Sequence, residues 1–299
     1  MKKFRYNTDG KWFKGNTHLH SQASDGTKTF KELAALYSSK GYDFLFRTDH
    51  WVCSDTSKDK QTYPLLWMDG IELDGDDNLG SYYHVVCLGK VKNLERGNNF
   101  QEALESARKQ NCIIILAHPR WTGNTIEEAF RHDFDGVEIY NNTARQLNGK
   151  GDGCVYWDQM VEKKQNTLSL AVDDAHFRPA HPGWNGGWIV INADKLNSDS
   201  ILNAIKKGNY YSSTGPSFFK ISLQNDFINI KTSPVKAIRL IGPGRRGQNN
   251  IKFKMENCIL NANGLIKEAR IPIPKDWPYS FLEIEDEDGK IAWTNTLFD

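Results

Sequence analysis

The chain has 299 residues, and 38 Lys and Arg against 37 Asp and Glu leave a formal net charge of +1. That balance supplies no field for nonspecific nucleic-acid binding, and 39% hydrophobic with 25% charged residues excludes a disordered chain. No apolar run approaches ~18 residues, the basic start Met1 to Gly10 has no apolar stretch behind it, and five scattered cysteines form no CxxC, so a cytoplasmic protein with reduced thiols and no membrane span is expected.

The first two-thirds alternates short apolar runs with helical patterns. Thr29 and Glu32 form a capping-box sequence ahead of Phe30, Leu33, Ala34 and Tyr37, and Gly41 is a natural stop. Phe44–Phe46 reads as a short buried strand. Asn99 caps a helix through Ala103, Leu104 and Ala107. The run Cys112–Ala117 reads as a fully buried parallel strand. Asn124 and Glu127 suggest a second capping box before Ile126, Ala129 and Phe130. Strands are expected over Val137–Tyr140, Leu168–Val172 and Trp188–Ile191, with helices over Val155–Lys164 and through Ile201, Ala204 and Ile205 to Gly208. Strand and helix in this alternation predict a parallel α/β sheet or barrel.

After about Pro216 the pattern becomes all-β. Strand-like runs at Phe218–Leu223, Phe227–Ile230, Ala237–Ile241, Ile251–Met255, Ala269–Ile273 and Phe281–Glu285 are separated by turn residues such as Asn263-Gly264 and Asp288-Gly289. The expectation is two domains, residues 1–215 and a small β-sandwich at 216–299. Gly242–Gly247 contains glycine and arginine but lacks the GK[ST] of a phosphate-binding loop, and reads as a turn.

Eight histidines are present, and six punctuate strands of the first domain. His18 and His20 are two apart, so on a strand they share a face and can bind one ion. Asp25 follows in a nearby loop. His50 closes Thr48-Asp49-His50, directly after the strand at Phe44–Phe46. Glu72 sits at an expected strand end, with Asp69 and Asp74 as rivals. His84 lies inside an apolar strand, where an unpaired imidazole is costly. His118 follows the longest apolar run. Asp173, Asp174 and His176 follow another. In parallel α/β folds the C-terminal strand ends form the active-site face. A His, Asp and Glu set suits Zn, Mn or Fe rather than thiolate chemistry.

HxH with a following SDG, then TDH, a lone Glu, AHP and DDAH together resemble the PHP (polymerase and histidinol phosphatase) metallohydrolases over roughly residues 14–215. Glu138-Ile139-Tyr140-Asn141, Trp157-Asp158, Asp173–His176 and Tyr210–Pro216 look like the carbaryl-hydrolase branch, whose members often carry a small C-terminal β domain. The resemblance implies a distorted (β/α)7 barrel holding two or three divalent ions. It implies one ion on His18, His20, Glu72 and Asp174, a second on Glu72, His84 and His118, and a third on Asp25, His50 and His176. The lead-in Gly70-Ile71 selects Glu72, and the family's Asp-x-His spacing selects Asp174 over Asp173. Asp49 is expected to orient an imidazole, and Glu138 to support a ligand. His132 and His181 match no motif.

The implied activity is metal-dependent phosphoester hydrolysis, with His20, Glu72 and Asp174 at the chemistry and Asp174 or bound water protonating the leaving group. Arg120 and Arg178, each close in sequence to motif residues, are expected to fork onto an anionic small-molecule substrate. Arg47 is a weaker third candidate, since strand alternation can turn it outward. Trp121, Phe177 and Trp184 are candidate pocket walls. The alternatives are a carboxylic or carbamate ester hydrolase and a non-catalytic metal-binding module. A short chain without basic excess gives no nucleic-acid polymerase context.

Overall fold

The computed structural model describes residues 3–251 and 257–298. Strands β1 (Lys11–Asn16), β2 (Phe44–Arg47), β3 (Leu66–Asp76), β4 (Tyr82–Leu88), β5 (Ile113–Leu116), β6 (Gly136–Asn141), β7 (Leu168–Val172), β8 (Trp188–Ala193) and β9 (Tyr210–Ser213) make up the first part. Helices α1 (Phe30–Ser38), α2 (Phe100–Lys109), α3 (Pro119–Thr122), α4 (Ile126–Ala129), α5 (Asn142–Asn148), α6 (Cys154–Lys163) and α7 (Ser198–Lys206) are interleaved with them. The chain continues as β10 (Phe218–Gln224), β11 (Phe227–Val235), β12 (Ala237–Ile241), β13 (Gly247–Ile251), β14 (Cys258–Leu260), β15 (Ile266–Pro272), β16 (Phe281–Glu285) and β17 (Ile291–Thr294). The strand expected over 251–255 lies, from residue 252 on, outside the described residues.

The caps explain the helix starts. Thr29 accepts from Glu32 N–H, and the Glu32 carboxylate returns the bond to Thr29 N–H. The second capping box is Thr125 with Glu128, one residue later than expected. Asn124 instead turns its Nδ2 to Tyr82 O at 2.8 Å, and its Oδ1 caps no helix N–H among the described residues.

The sheet is mixed rather than parallel. Pairs β1–β2, β2–β3, β5–β6 and β6–β7 are parallel, whereas β3–β4, β4–β5, β1–β8 and β8–β9 are antiparallel. The short link from Asp76 to Tyr82 permits only an antiparallel return. Thirteen strands form one ladder in the order β13-β12-β16-β17-β9-β8-β1-β2-β3-β4-β5-β6-β7, and β10-β11-β15-β14 form a second, antiparallel sheet. No backbone ladder joins β7 to β9 among the described residues. Side chains bridge that gap: Ala171 N–H donates to Ser212 Oγ (3.0 Å), Ser212 Oγ donates to Ser169 O (2.8 Å), and Ser169 N–H donates to Asn295 Oδ1 (2.9 Å).

Alternation buries both faces of the early strands. Ile113 and Ile115 of β5 join one buried cluster with Phe44, Phe46, Met68, Val86, Leu170, Val172, Ile189 and Tyr210. Ile114 and Leu116 point the other way, against Ala103 and Leu104 of α2 and Trp157 and Val161 of α6. A third cluster lies between the two sheets, where Ile221, Ile228, Ile230 and Ile266 meet Ile238, Leu240, Leu282 and Ile284.

Candidate metal centre

Beyond β1 the chain runs on past Asn16 and docks against the end of β7. Asp174 N–H donates to His18 O and His20 N–H to Ala175 O, both at 2.9 Å. That pairing brings the HxH and DAH segments together. Glu72 lies inside β3 rather than at its end, and His84 stands on the neighbouring β4. His118 follows β5 with φ 26°, and Asp174 has φ 54°. Both are left-handed conformations that non-glycine residues adopt only when their surroundings impose them. The Ser-Asp-Gly loop folds back so tightly that a Cβ on Gly26 would lie 2.3 Å from His20 O.

Glu72 is the hub. Its Oε2 lies 3.1 Å from His18 Nε2, 3.1 Å from His20 Nε2 and 3.3 Å from His50 Nδ1. Its Oε1 lies 2.8 Å from His84 Nδ1 and 3.4 Å from His118 Nε2. Asp174 Oδ1 lies 3.1 Å from His20 Nε2 and 3.3 Å from His18 Nε2. Asp25 reaches His20 Nδ1 at 3.4 Å and His176 Nε2 at 3.3 Å. The nine residues named as ligands from the sequence therefore meet in one cluster. They fall into four overlapping groups able to hold an ion: His20-Asp25-His50-His176, His18-Glu72-His118, His18-His20-Asp174 and His50-Glu72-His84. His20 reaches the Asp25 group as well as Asp174, and His50 reaches Glu72 as well as Asp25.

Two observations test whether cations fit. Glu72 Oε2 is buried without a hydrogen-bond partner. His18 Nε2 and His20 Nε2 face each other at 3.2 Å, and two imidazole nitrogens so placed are best satisfied by a shared cation. The nitrogen and oxygen donor set suits Zn, Mn or Fe.

Further groups hold these side chains in place. His18 Nδ1–H donates to Glu138 Oε1 at 2.6 Å, and Glu138 Oε2 accepts from His118 N–H and Asn141 Nδ2, both at 2.9 Å. Asp49 touches no imidazole. It accepts from the backbone and hydroxyls of Ser21 and Ser24, which fixes the loop carrying Asp25. Asp69 caps Thr56 N–H outside the cluster, whereas Asp74 Oδ1 lies 2.9 Å from His50 Nδ1 and also binds Arg96. Asp173 points away from the cluster, and Arg178 pairs with Asp25 at 2.9 Å.

The electrostatics are those of mutual support. Burial disfavours charge on His20, but Asp174 and Glu72 outweigh it and push the imidazole up to about 10. His18 is raised in the same way, against burial, by Asp174, Glu72 and Glu138. Burial likewise opposes ionisation of Glu72 and Asp174, yet the surrounding imidazoles hold both carboxyls well below the usual range. Asp173, without such partners, is pushed up by burial.

A cavity of about 150 Å³ opens over the cluster. Its outer wall is Trp121, Leu147, Ala144, Thr143 and His181. Trp121 and Leu147 are 39% and 38% exposed, and Trp121 stands edge-on to His118 and His84. No Arg or Lys lines the cavity among the described residues. Arg120 is exposed on α3, next to Trp121 but outside the lining. Arg47 turns away onto Asp59 and the Phe30 ring. Phe177 and Trp184 pack in the core beside Tyr37. His132 pairs with Asp77 at 3.0 Å, away from the site. His181, which matched no motif, is edge-on to His176. Leu147 and Thr143 carried no sequence signal, being ordinary residues of a short helix.

No family model matches the chain. The chain is 23% identical over 227 residues to the DNA polymerase/3'-5' exonuclease PolX of Bacillus subtilis (strain 168), a match covering 61% of this chain and 40% of that protein. It therefore spans less than half the length of that curated relative. Among solved structures it resembles a two-domain protein from Bacteroides vulgatus ATCC 8482 containing a predicted PHP-like metal-dependent phosphoesterase, with TM-score 0.53, 14% identity and coverage of 96% of this chain and 95% of that one. A putative metal-dependent phosphoesterase from Bifidobacterium adolescentis ATCC 15703 gives TM-score 0.44, 11% identity and coverage of 64% and 96%. The first of these likenesses covers nearly the whole of both chains and is a likeness of fold.

Proposed function

We propose that this chain is a metal-dependent hydrolase of the PHP type, acting on phosphoesters of small molecules. The observation that carries the reading is Glu72 Oε2, buried without a hydrogen-bond partner and ringed by three imidazole nitrogens at 3.1–3.3 Å. The proposed ligand sets are His18, His20, Glu72 and Asp174; Glu72, His84 and His118; and Asp25, His50 and His176. Two or three divalent ions of Mn, Fe or Zn held there would lower the pKa of water and neutralise charge on a phosphoryl oxygen. Glu138 keeps the His18 proton on Nδ1 and so leaves Nε2 free as a ligand. Asn141 Nδ2 holds Asp174 Oδ2 at 3.2 Å, orienting an ionised carboxylate that can take a proton from the attacking water and relay it to the leaving group. Arg178 is proposed to position Asp25, and Arg120 to meet an anionic substrate at the rim.

The single buried cluster shared by β2 to β5 and β7 to β9 supports a distorted (β/α)7 barrel, followed from about residue 216 by a small β domain. The Glu138–Asn141 and Tyr210–Pro216 segments support a place near the carbaryl-hydrolase branch, and free thiols at Cys53, Cys87, Cys112 and Cys154 support a cytoplasmic site. A second reading, carboxylic or carbamate ester hydrolysis, is favoured by one observation: the outer cavity wall is Trp121, Leu147 and Ala144, with no cation among the described lining residues. Metal analysis of the purified protein, alongside turnover of phosphomonoesters, phosphodiesters and neutral esters, tests both. Less than one transition metal per chain would sink the metal centre, and turnover of neutral esters alone would promote the second reading.

A further inference from the structure

Asp173 precedes a ligand, is fully buried, and stands outside the cluster. Five donors converge on its carboxylate. Oδ2 accepts from Asn16 Nδ2 (2.9 Å), the Tyr37 hydroxyl (2.9 Å) and Asn185 N–H (2.8 Å). Oδ1 accepts from Gly186 N–H (2.7 Å) and Gly187 N–H (3.0 Å). These donors belong to three separate segments: the end of β1, helix α1, and the loop leading into β8. Asn16 works in both directions. Its Nδ2 also donates to Gly187 O (2.9 Å), while its Oδ1 accepts from His18 N–H (3.2 Å) and Asp173 N–H (3.4 Å).

We propose that Asp173, joined to Asn16, is the positioning residue of the metal centre, setting the spacing between the His18–His20 and Asp174–His176 segments. The proposal rests on the metal-centre reading above. The Asn16–Asp173 pair lies where those two ligand segments leave their strands. The next residue, Asp174, is held at φ 54°, a conformation that needs outside support. The same carboxylate anchors the far end of the 177–187 loop, whose near end brings Arg178 to Asp25 and His181 to the cavity. A carboxylate is required because all five partners are donors. An Asn there would offer one acceptor and turn an amide N–H toward the remaining donors.

The test is a Zn(II) and Mn(II) titration of the full chain by calorimetry, with urea unfolding measured in parallel. Asp173→Asn and Asn16→Ala are compared with wild type and with Asp77→Asn. Asp77 is a buried carboxylate in another part of the chain, bonded to Arg131 (2.7 Å) and His132 (3.0 Å). The Asp173 and Asn16 variants should weaken metal binding about 10- to 100-fold per folded molecule. Asp77→Asn should lower stability and leave metal affinity unchanged. Wild-type affinity in a folded Asp173→Asn or Asn16→Ala chain overturns the proposal. So does an equal loss in Asp77→Asn, since the effect would then be general destabilisation. If Asp173→Asn does not fold, Asn16→Ala decides. A wild-type chain that binds no metal fails the proposed function itself, and does so in the first titration.

Discussion

His18 and Ile238 are equally buried, at 0% exposure each, yet their neighbourhoods obey different rules. Around Ile238 the strands alternate. Leu240, Leu282 and Ile284 face the second sheet, while Arg239 turns outward to Glu283 and Glu285 at 2.9 and 2.6 Å. Apolar burial at roughly 25 cal/mol per Å² is self-sufficient there. Around His18, imidazoles and carboxylates face one another, and buried charges of this kind stabilise a fold only when fully matched. One region supplies stability, and the other draws on it to keep imidazoles and carboxylates facing one another.

The contrast breaks most completely if the regions can be separated. A chain ending at Ser217 loses β17, which pairs with β9, and Asn295, which holds Ser169 of β7. It should yield no soluble, metal-competent remainder by circular dichroism and sedimentation. Native metal content in that truncated chain would make the regions independent and the proposed boundary near residue 216 a thermodynamic one. His20→Ala and Asp174→Asn attack the polar region alone. Each should lower kcat on the best phosphoester about a thousand-fold or more, with the folded state still present by circular dichroism. Parallel losses of fold and rate would erase the distinction.

Leu282→Ala attacks the apolar region. It should cost about 2–5 kcal/mol in urea unfolding and leave metal affinity in place. Chelation of protein held at about 100 times the metal Kd should cost roughly 2.7 kcal/mol, additive with Leu282→Ala. Strong coupling between those two losses would show that the regions share one cooperative strain. The smallest effect is Arg120→Ala. An exposed contact should be worth about 1 kcal/mol in kcat/KM for an anionic ester and nothing for a neutral one. Equal losses on both substrates would make Arg120 structural.

Six members of the cluster were legible because His18, His20, His50, His118, Asp174 and His176 follow strand ends in short motifs, whereas Glu72 and His84 lie inside strands, and the chain has few histidines to confuse them. Helix starts were legible through Thr29 and Asn99, where one side chain decides the boundary. The second capping box slipped by a residue: Thr125 takes the cap, while Asn124 turns its amide to Tyr82 in a tertiary contact invisible in local sequence. The hairpin of β3 and β4 hid within a β/α rhythm that suggested parallel strands. Strand β9 escaped notice because Ser212 and Ser213 are buried by hydrogen bonding rather than by hydrophobicity. Asp49 was expected to hold an imidazole and instead holds a loop, because two serines lie closer. His181 had no neighbour of motif type, so only the path of the 177–187 loop reveals it.

The side-chain bridge between β7 and β9 changes how that edge can respond to time and substitution. Elsewhere in the large sheet, among the described residues, neighbouring strands are joined by backbone ladders. At β7 the amides of Ser169 and Ala171 depend on Asn295 and Ser212. Those two amides become sentinels for hydrogen–deuterium exchange. Ser212→Ala should release the Ala171 proton to solvent far sooner than its neighbours in β6, even while the circular dichroism spectrum registers nothing. Heritable variation at position 212 or 295 would thus be felt first as breathing along one edge of the strand that delivers Asp174.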